Sequence, residues 1–342
     1  MINNFWADKK VLITGHTGFK GSWLAYMLSH LGTKLIGLSD YEYPGIYTET
    51  NAKALFEKEY FVDIRNISDE ILKEIDRENC DIIFHFAAQS LVHEAHEDPV
   101  KTLETNIIGT YNILEIFNNS NSTKTISIST TDKVYKDPSL KNSENFEIGG
   151  HEFYSSSKVG KENVINAYLN TRLHSGKNIS TIRSGNVVGG GDRAKNRLVP
   201  DIINSLQSKS NIYLRNPSSI RPWQHVLDSL SGYLLAAEHS YKKNISEIFN
   251  LNSELNNKYT VENITQKIVK AWSSQIKIEI INSNFFEVDI LTINSEKAKK
   301  ILSWNSKFHL DDIVKLIVEW EKASDKTAIT KKQVDSFFKD YL

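Results

Sequence analysis

The sequence is short of several things, and each shortage excludes a class of protein. A single cysteine, Cys80, rules out an internal disulfide framework and a cysteine-rich zinc site. No stretch approaches the ~18 consecutive apolar residues of a membrane-spanning helix. Met1 to Lys10 carries Asp8, Lys9 and Lys10 where a signal peptide needs its apolar region. Charge of one sign is also lacking. Against 42 Asp and Glu stand 41 Lys and Arg, a formal net charge of −1, which excludes a globally basic nucleic-acid binder. There is no internal repeat and no low-complexity segment. His93 and His96 are not four apart and lack carboxylates in a ligand pattern, so no metal site is expected. What remains is a chain of 342 residues, 40% hydrophobic and 24% charged, long enough for a sizeable core and expected in the cytoplasm.

The first half alternates strand and helix signals. Val11–Thr14 is a short apolar run that ends in a glycine-rich turn, and Ser22–Leu31 follows with apolar residues at helical spacing. Lys34–Leu38, Asp81–Phe86, Thr125–Ser129 and Ile179–Arg183 read as further strands. Thr102–Phe117 and the segment after Tyr154 read as long helices. This alternation predicts an α/β fold: a doubly wound, Rossmann-type parallel sheet covered on both faces, with a smaller mixed α/β substrate domain. The second half is more irregular, with turns around Gly185–Asp192, Asn216-Pro217 and Arg221-Pro222. Helices are expected at Trp223–His239, Val261–Trp272 and Leu310–Trp320, a returning strand at Ser246–Leu251, and a surface connection at Ser324–Thr330. The expected division is residues 1–184 plus 223–252 for the nucleotide domain, and 185–222 with 253–342 for the other.

Gly15-His16-Thr17-Gly18-Phe19-Lys20-Gly21 lies where the first strand gives way to a helix, its glycines three apart. Glycine permits the tight turn and lets backbone N–H groups approach a pyrophosphate, which the helix N-terminus also favours. Asp40, at the end of the second strand, is an acceptor for a ribose diol and would repel a 2′-phosphate, favouring NAD over NADP; its bland alternative is a solvated loop carboxylate. Asp63-Ile64 meets an adenine edge in one reading and caps a helix in another. His16 reads as a shaping residue and His85 as a core histidine.

Tyr154-Ser155-Ser156-Ser157-Lys158 places a phenol and an ammonium one helical turn apart. A nearby ammonium favours the phenolate, suiting Tyr154 to proton exchange with a sugar hydroxyl. Thr131-Asp132-Lys133 follows directly on a strand, at the edge that faces a ligand crevice in a parallel sheet. A hydroxyl, a carboxyl and an amine there can position a substrate, protonate a leaving hydroxyl and remove an acidified proton. Lys133 would serve as that base with its pKa lowered, or would steady an enolate by charge alone. Thr130 reads as part of the polar strand end.

These segments, with Ala87-Ala88-Gln89-Ser90-Leu91-Val92, Gly185-Asn186-Val187-Val188-Gly189-Gly190-Gly191-Asp192 and Ile220-Arg221-Pro222-Trp223-Gln224-His225-Val226, resemble the extended short-chain dehydrogenase/reductase family along nearly the whole chain. Within it they are most similar to the CDP-glucose 4,6-dehydratases; the Asp-Lys pair is Asp-Glu in the related dTDP-glucose enzymes. The resemblance implies a redox-neutral elimination that uses bound NAD. Tyr154, assisted by Thr131 and Lys158, would deprotonate the C4 hydroxyl, Lys133 would remove the C5 proton, and Asp132 would protonate the departing C6 hydroxyl. It also implies cofactor contacts from Gly15, Thr17, Gly18, Phe19, Lys20, Gly21, Asp40, Asp63, Ile64, Ala87, Ala88, Gln89, Tyr154 and Lys158. Asn106 joins them or binds backbone instead. Asn186, Arg193, Arg197, Arg221 and His225 would face the nucleotide-sugar, the arginines because their forks pair with a pyrophosphate. A homodimer or homotetramer is implied, built on the helices at 102–117 and 154–169.

The chain departs from the family pattern at His151-Glu152-Phe153, His93, Arg193 and Asn250-Leu251-Asn252-Ser253. These departures bear on which base and sugar are recognised. Two rival readings stand beside the dehydratase. A nucleotide-sugar 4-epimerase would share Tyr154 and Lys158 but needs no acid–base pair at C5 and C6. A catalytically silent NAD-binding protein would need none of the four.

Overall fold

The computed structural model describes residues 3–256, 258–281 and 290–341. The sheet strands are β1 (Lys10–Thr14), β2 (Lys34–Ser39), β3 (Phe56–Phe61), β4 (Ile82–His85), β5 (Thr125–Ser129), β6 (Asn178–Ser184) and β7 (Glu247–Leu251). The helices that matter here are α1 (Phe19–His30), α2 (Asp69–Arg77), α3 (Gly109–Asn119), α4 (Phe153–Thr171), α5 (Leu198–Ser208), α6 (Val226–Lys243), α7 (Val261–Trp272), α8 (Leu310–Lys322) and α9 (Lys326–Tyr341).

All seven strands pair in parallel, in the order β7-β6-β5-β4-β1-β2-β3. Parallel strands need helical crossovers, which cover both faces; hence Val11, Leu12 and Ile13 of β1 and every residue of β6 are buried. One apolar layer joins α1 and α6 to the C-terminal helices through Trp23, Tyr233 and Trp320, and the other packs Ile75, Ile113, Phe117 and Ile165 beneath the opposite face. The chain winds from β1 to β3 in one direction and from β4 to β7 in the other. The reversal falls between β1 and β4, and the crevice beyond their C-terminal ends is where an open α/β sheet takes its ligand.

Three sequence expectations change in detail. The helix read at 102–117 is three consecutive pieces: Pro99–Leu103, a π-turn at Glu104–Ile108, and α3. β3, Phe-Glu-Lys-Glu-Tyr-Phe, is an edge strand whose charges hid it from an apolar-run reading. The expected surface connection at 324–330 is corrected. Lys326 already begins α9, where Thr330, Val334 and Phe337 are buried and Thr330 Oγ1 accepts from Trp320 Nε1 at 2.8 Å. Among the described residues no helix is long and apolar enough to cross a membrane.

Candidate active site

The turn after β1 is a cradle that only glycine can build. Gly15 has φ +71°, and a Cβ there would lie 2.7 Å from Ala87 N; one on Gly21 would lie 2.2 Å from Gly15 O. Gly18 is the extended residue that opens α1, and Phe19 and Lys20 form its first turn. Thr17 donates to the carbonyl of Tyr41 at 2.8 Å and locks the turn to the end of β2. Asp40 stands exposed just past β2, accepting from the Tyr41 N–H and the Tyr43 hydroxyl. The cradle, the helix N-terminus and this carboxylate together fit a dinucleotide.

Beneath them runs a buried polar chain. Thr110 Oγ1 donates to Asn106 O at 2.7 Å, so it accepts from His85 Nε2 at 3.0 Å; His85 Nδ1 then accepts from Thr14 Oγ1 at 2.7 Å. His85 is neutral and satisfied, its pKa held well down by burial. His16 is likewise enclosed, its Nε2 against Glu59 at 2.9 Å.

Asp63 is gripped by Arg65, whose guanidinium holds its pKa down, while Ser68 rather than Asp63 caps α2. Ile64 is buried against Gly109. Ala87 N donates to Thr14 Oγ1, placing Ala87, Ala88 and Gln89 beside the glycine turn. Asn106 takes the backbone alternative. It is fully buried, its Oδ1 accepts from Gln89 N, and its Nδ2 donates to Gln89 O and Ser157 Oγ.

Across the crevice, the end of β5 and the start of α4 converge. Thr131 caps the short turn Asp132–Val134, accepting from Lys133 N and donating to Asp132 Oδ1 at 3.1 Å. Asp132 is 3% exposed, and its Oδ2 has no partner. Burial raises its pKa, against the opposing pull of Lys133, Thr131 and Arg221. Glu152 caps α4 through Tyr154 N at 2.6 Å and Ser155 N at 2.8 Å, so one of the departures from the family pattern is the residue that seats the tyrosine.

The Lys158 amine lies 5.6 Å from the Tyr154 ring centre. Burial moves both groups away from charge: Lys158 falls to about 7, helped by Lys20, and Tyr154 rises to about 12, tempered by its hydrogen bond with Thr131. Near neutral pH Tyr154 therefore holds its proton and Lys158 is only partly charged, where the sequence pattern suggested an ammonium beside a phenolate. Lys20 reaches the same cluster, 5.5 Å from the Tyr233 ring centre, and falls to about 8 through burial and Arg197.

Of the five residues expected to face the nucleotide-sugar, two do not. Arg193 is spent on Glu49 and Glu321, with ion pairs of 2.7 and 2.8 Å, and its guanidinium lies over Trp320. It is a clamp joining the Gly191 loop to α8. His225 is fully buried between Trp23 and Phe308 and caps α6 through Leu227 N. Arg197 stays open, a third exposed, bonded to Asp192 and Ser90. Arg221 lies beside Asp132, and Asn186 is half-buried, its carbonyl accepting from Gln224 N.

Two groups escaped sequence reasoning. Glu162 and Arg183, both 3% exposed, form a 2.5 Å ion pair that also receives Thr130 Oγ1 and so anchors the loop after β5. Lys161, one turn beyond Lys158, is fully buried with no partner for its amine. Its i+3 spacing from Lys158 was a visible signal, but burial was not. No cluster able to hold a metal ion occurs among the described residues.

The CDP-glucose 4,6-dehydratase of Salmonella typhimurium (strain LT2) is 34% identical over 98% of this chain and 97% of that protein. A UDP-glucose 4-epimerase of Lactobacillus helveticus is 27% identical, over 93% of this chain and 98% of its own. Among solved structures, the UDP-glucose 4-epimerase of Stenotrophomonas maltophila with bound NAD and formylated UDP-arabinopyranose superimposes with a TM-score of 0.81 at 19% identity, covering 92% of this chain and 98% of that one. The GDP-mannose 4,6 dehydratase family model matches residues 12–317. With the Rossmann-type sheet and the glycine turn in place, the chain belongs to the GDP-mannose 4,6 dehydratase family of extended short-chain dehydrogenase/reductases.

Proposed function

We propose that the protein is an NAD-dependent nucleotide-sugar 4,6-dehydratase that converts CDP-D-glucose to CDP-4-keto-6-deoxy-D-glucose. The observation that carries this reading is Asp132: a buried carboxyl with one unpartnered oxygen, next to Lys133 and accepting a hydrogen bond from Thr131 at its other oxygen. An epimerase, whose chemistry ends at C4, has no use for a buried acid at that edge. The Gly15–Gly21 cradle, Asp40 and the Ala87–Gln89 loop would hold NAD, which would supply the hydride-accepting and hydride-donating chemistry of a redox-neutral elimination.

The chain's own groups handle the protons. Tyr154 takes the C4 hydroxyl proton. The positive charge of protonated Lys158 and of the bound cofactor counters the burial that holds the free phenol at about 12. Once C4 is a ketone its neighbouring C5–H is acidified, and Lys133 removes that proton. Asp132, whose pKa burial raises, donates a proton to the C6 hydroxyl as it leaves. The C5 proton is replaced through Lys133. Arg197, a third exposed at the crevice, is the cation placed to meet the substrate pyrophosphate, and Arg221 lies beside Asp132.

Exposed apolar side chains at Val100, Ile108, Tyr111, Phe153 and Leu169, on the helical segments at 99–119 and 153–171, support pairing of two copies through those helices. A 4-keto-6-deoxy product is an intermediate for deoxysugars of surface polysaccharides, made in the cytoplasm where nucleotide-sugars are. Incubation with CDP-glucose and NAD should yield a sugar with a C6 methyl doublet and no H4 in its proton spectrum. A C4 epimer that retains its C6 hydroxyl would replace this reading with the epimerase.

A further inference from the structure

The loop after β5 carries Asp132 and Lys133, and both of its flanks are tied to the same buried ion pair. Before the loop, Thr130 Oγ1 donates to Glu162 Oε1 at 2.8 Å. After it, the Tyr135 hydroxyl accepts from Arg183 Nη1 at 2.9 Å and donates to Asn250 Oδ1 at 2.7 Å. Arg183 closes the frame by gripping Glu162 with Nε and Nη2 at 3.0 and 2.5 Å, its guanidinium 4.9 Å from the Tyr135 ring centre. Thr130, Tyr135, Glu162 and Arg183 are all buried, and only Thr131 to Val134 lie between the two pins.

The frame joins three elements. Glu162 stands on α4, one turn beyond Lys158 and two beyond Tyr154, while Arg183 lies on β6 and Asn250 on β7. A buried ion pair stabilises a fold little compared with apolar groups of the same volume, because both charges lose their water. What it supplies is a single arrangement, since a planar guanidinium fork meets a carboxylate in one geometry. We propose that the Glu162–Arg183 pair is a positioning device that holds Asp132 and Lys133 in register with Tyr154, serving the elimination across C5 and C6 rather than the oxidation at C4. This rests on the dehydratase reading above.

Tyr154 has its own supports. Glu152 accepts from its N–H at 2.6 Å, and Ser157 Oγ, which donates to Tyr154 O at 2.6 Å, accepts from Asn106 Nδ2 at 2.8 Å. None of these bonds passes through the ion pair. Within the loop after β5 the bonds are local, Thr131 to Asp132 Oδ1 and Lys133 N to Thr131. The backbone bonds beside it, Thr130 N to Ile182 O and Gly149 N to Val134 O, fasten it to the sheet edge and not to α4. Its placement against α4 therefore comes from the two pins. A displacement of about 1 Å costs a reacting group on the order of 10²-fold in rate, so slack at the pins falls on the proton transfers of Asp132 and Lys133 and spares that of Tyr154.

The test is rapid mixing of the NAD-loaded enzyme with CDP-glucose, following reduced nicotinamide by absorbance and the 4-keto-6-deoxy product by quenching. Thr130→Val frees one flank of the loop and Tyr135→Phe the other, each with little change of shape. Each should slow product formation about tenfold while nicotinamide reduction stays within about threefold of wild type, so that reduced nicotinamide accumulates well above the wild-type level. The double variant should accumulate more, and Thr130→Ser, which keeps the hydroxyl, should match wild type. Should one variant fail to fold, the other is read alone. An active wild type beside variants that slow product without accumulating reduced nicotinamide, or that slow nothing, overturns the positioning role alone. A wild type that releases no 4-keto-6-deoxy product from any nucleotide-hexose overturns the dehydratase reading and this role together.

Discussion

At the turn after β1 the crevice is built of backbone, whereas across it, at the end of β5, it is built of side chains kept from water. The first half works by shape. Gly15 and Gly21 leave no room for a Cβ, and the cradle would look much the same at any pH. The second half works by charge state. Asp132, Tyr154 and Lys158 are all moved by burial, each toward its neutral form. A site of this kind separates holding from reacting, so a lesion in one half should spare the other.

The sharpest way to break that comparison is at Asp132. Asp132→Asn removes the acid without changing shape, and kcat should fall about 10²- to 10⁴-fold while NAD affinity and melting temperature hold. A matching loss of NAD binding would mean that the two halves are not separable. The converse lesion is Gly15→Ala. Positive φ and a contact of 2.7 Å with Ala87 N should weaken NAD binding about 10- to 100-fold in calorimetry, and the protons of the β5 edge should titrate as before.

How far the sequence could go follows the same division. The glycine turn was legible because backbone demands leave few choices of residue, β1 because a strand buried on both faces reads as an apolar run, and β5 and β6 through the β-branched isoleucines and threonines set among their serines. Tyr154, Lys158 and Asp132-Lys133 were legible as a pattern of types. Their protonation was not, since the nearby charges were countable from sequence and the burial that outweighs them was not. Arg193 and His225 were misplaced for a related reason: lying in a motif says nothing of which way a side chain points, and theirs turn inward to carboxylates and rings. The polar composition of α9 concealed a face that buries Val334 and Phe337.

Lys161 sharpens the comparison through stability. Its amine is buried without a partner, and its pKa lies well below 10.5, so the folded state is short of a proton relative to the unfolded chain. Stability is thus lost as pH falls from 10.5 toward the folded pKa, by up to about 1.4 kcal/mol per pH unit. Lys161→Met should stabilise the protein at pH 7 by about 2 kcal/mol and flatten the dependence of denaturant midpoint on pH between 7 and 9. An unchanged slope would place a charge on Lys161 in the folded state. The smallest effect belongs to Arg193→Met, a clamp outside both halves. The melting temperature should drop a few degrees and KM for the nucleotide-sugar stay within about twofold; a tenfold rise in KM would restore Arg193 to the substrate.

The most direct measurement of the central claim is mass spectrometry of CDP-glucose turned over by the NAD-loaded enzyme in deuterated water. Dehydration through a C5 proton exchanged at Lys133 predicts a product that has lost one water and carries one solvent deuterium at C5. A product that keeps all its oxygens, or one that loses water with no deuterium at C5, contradicts the account.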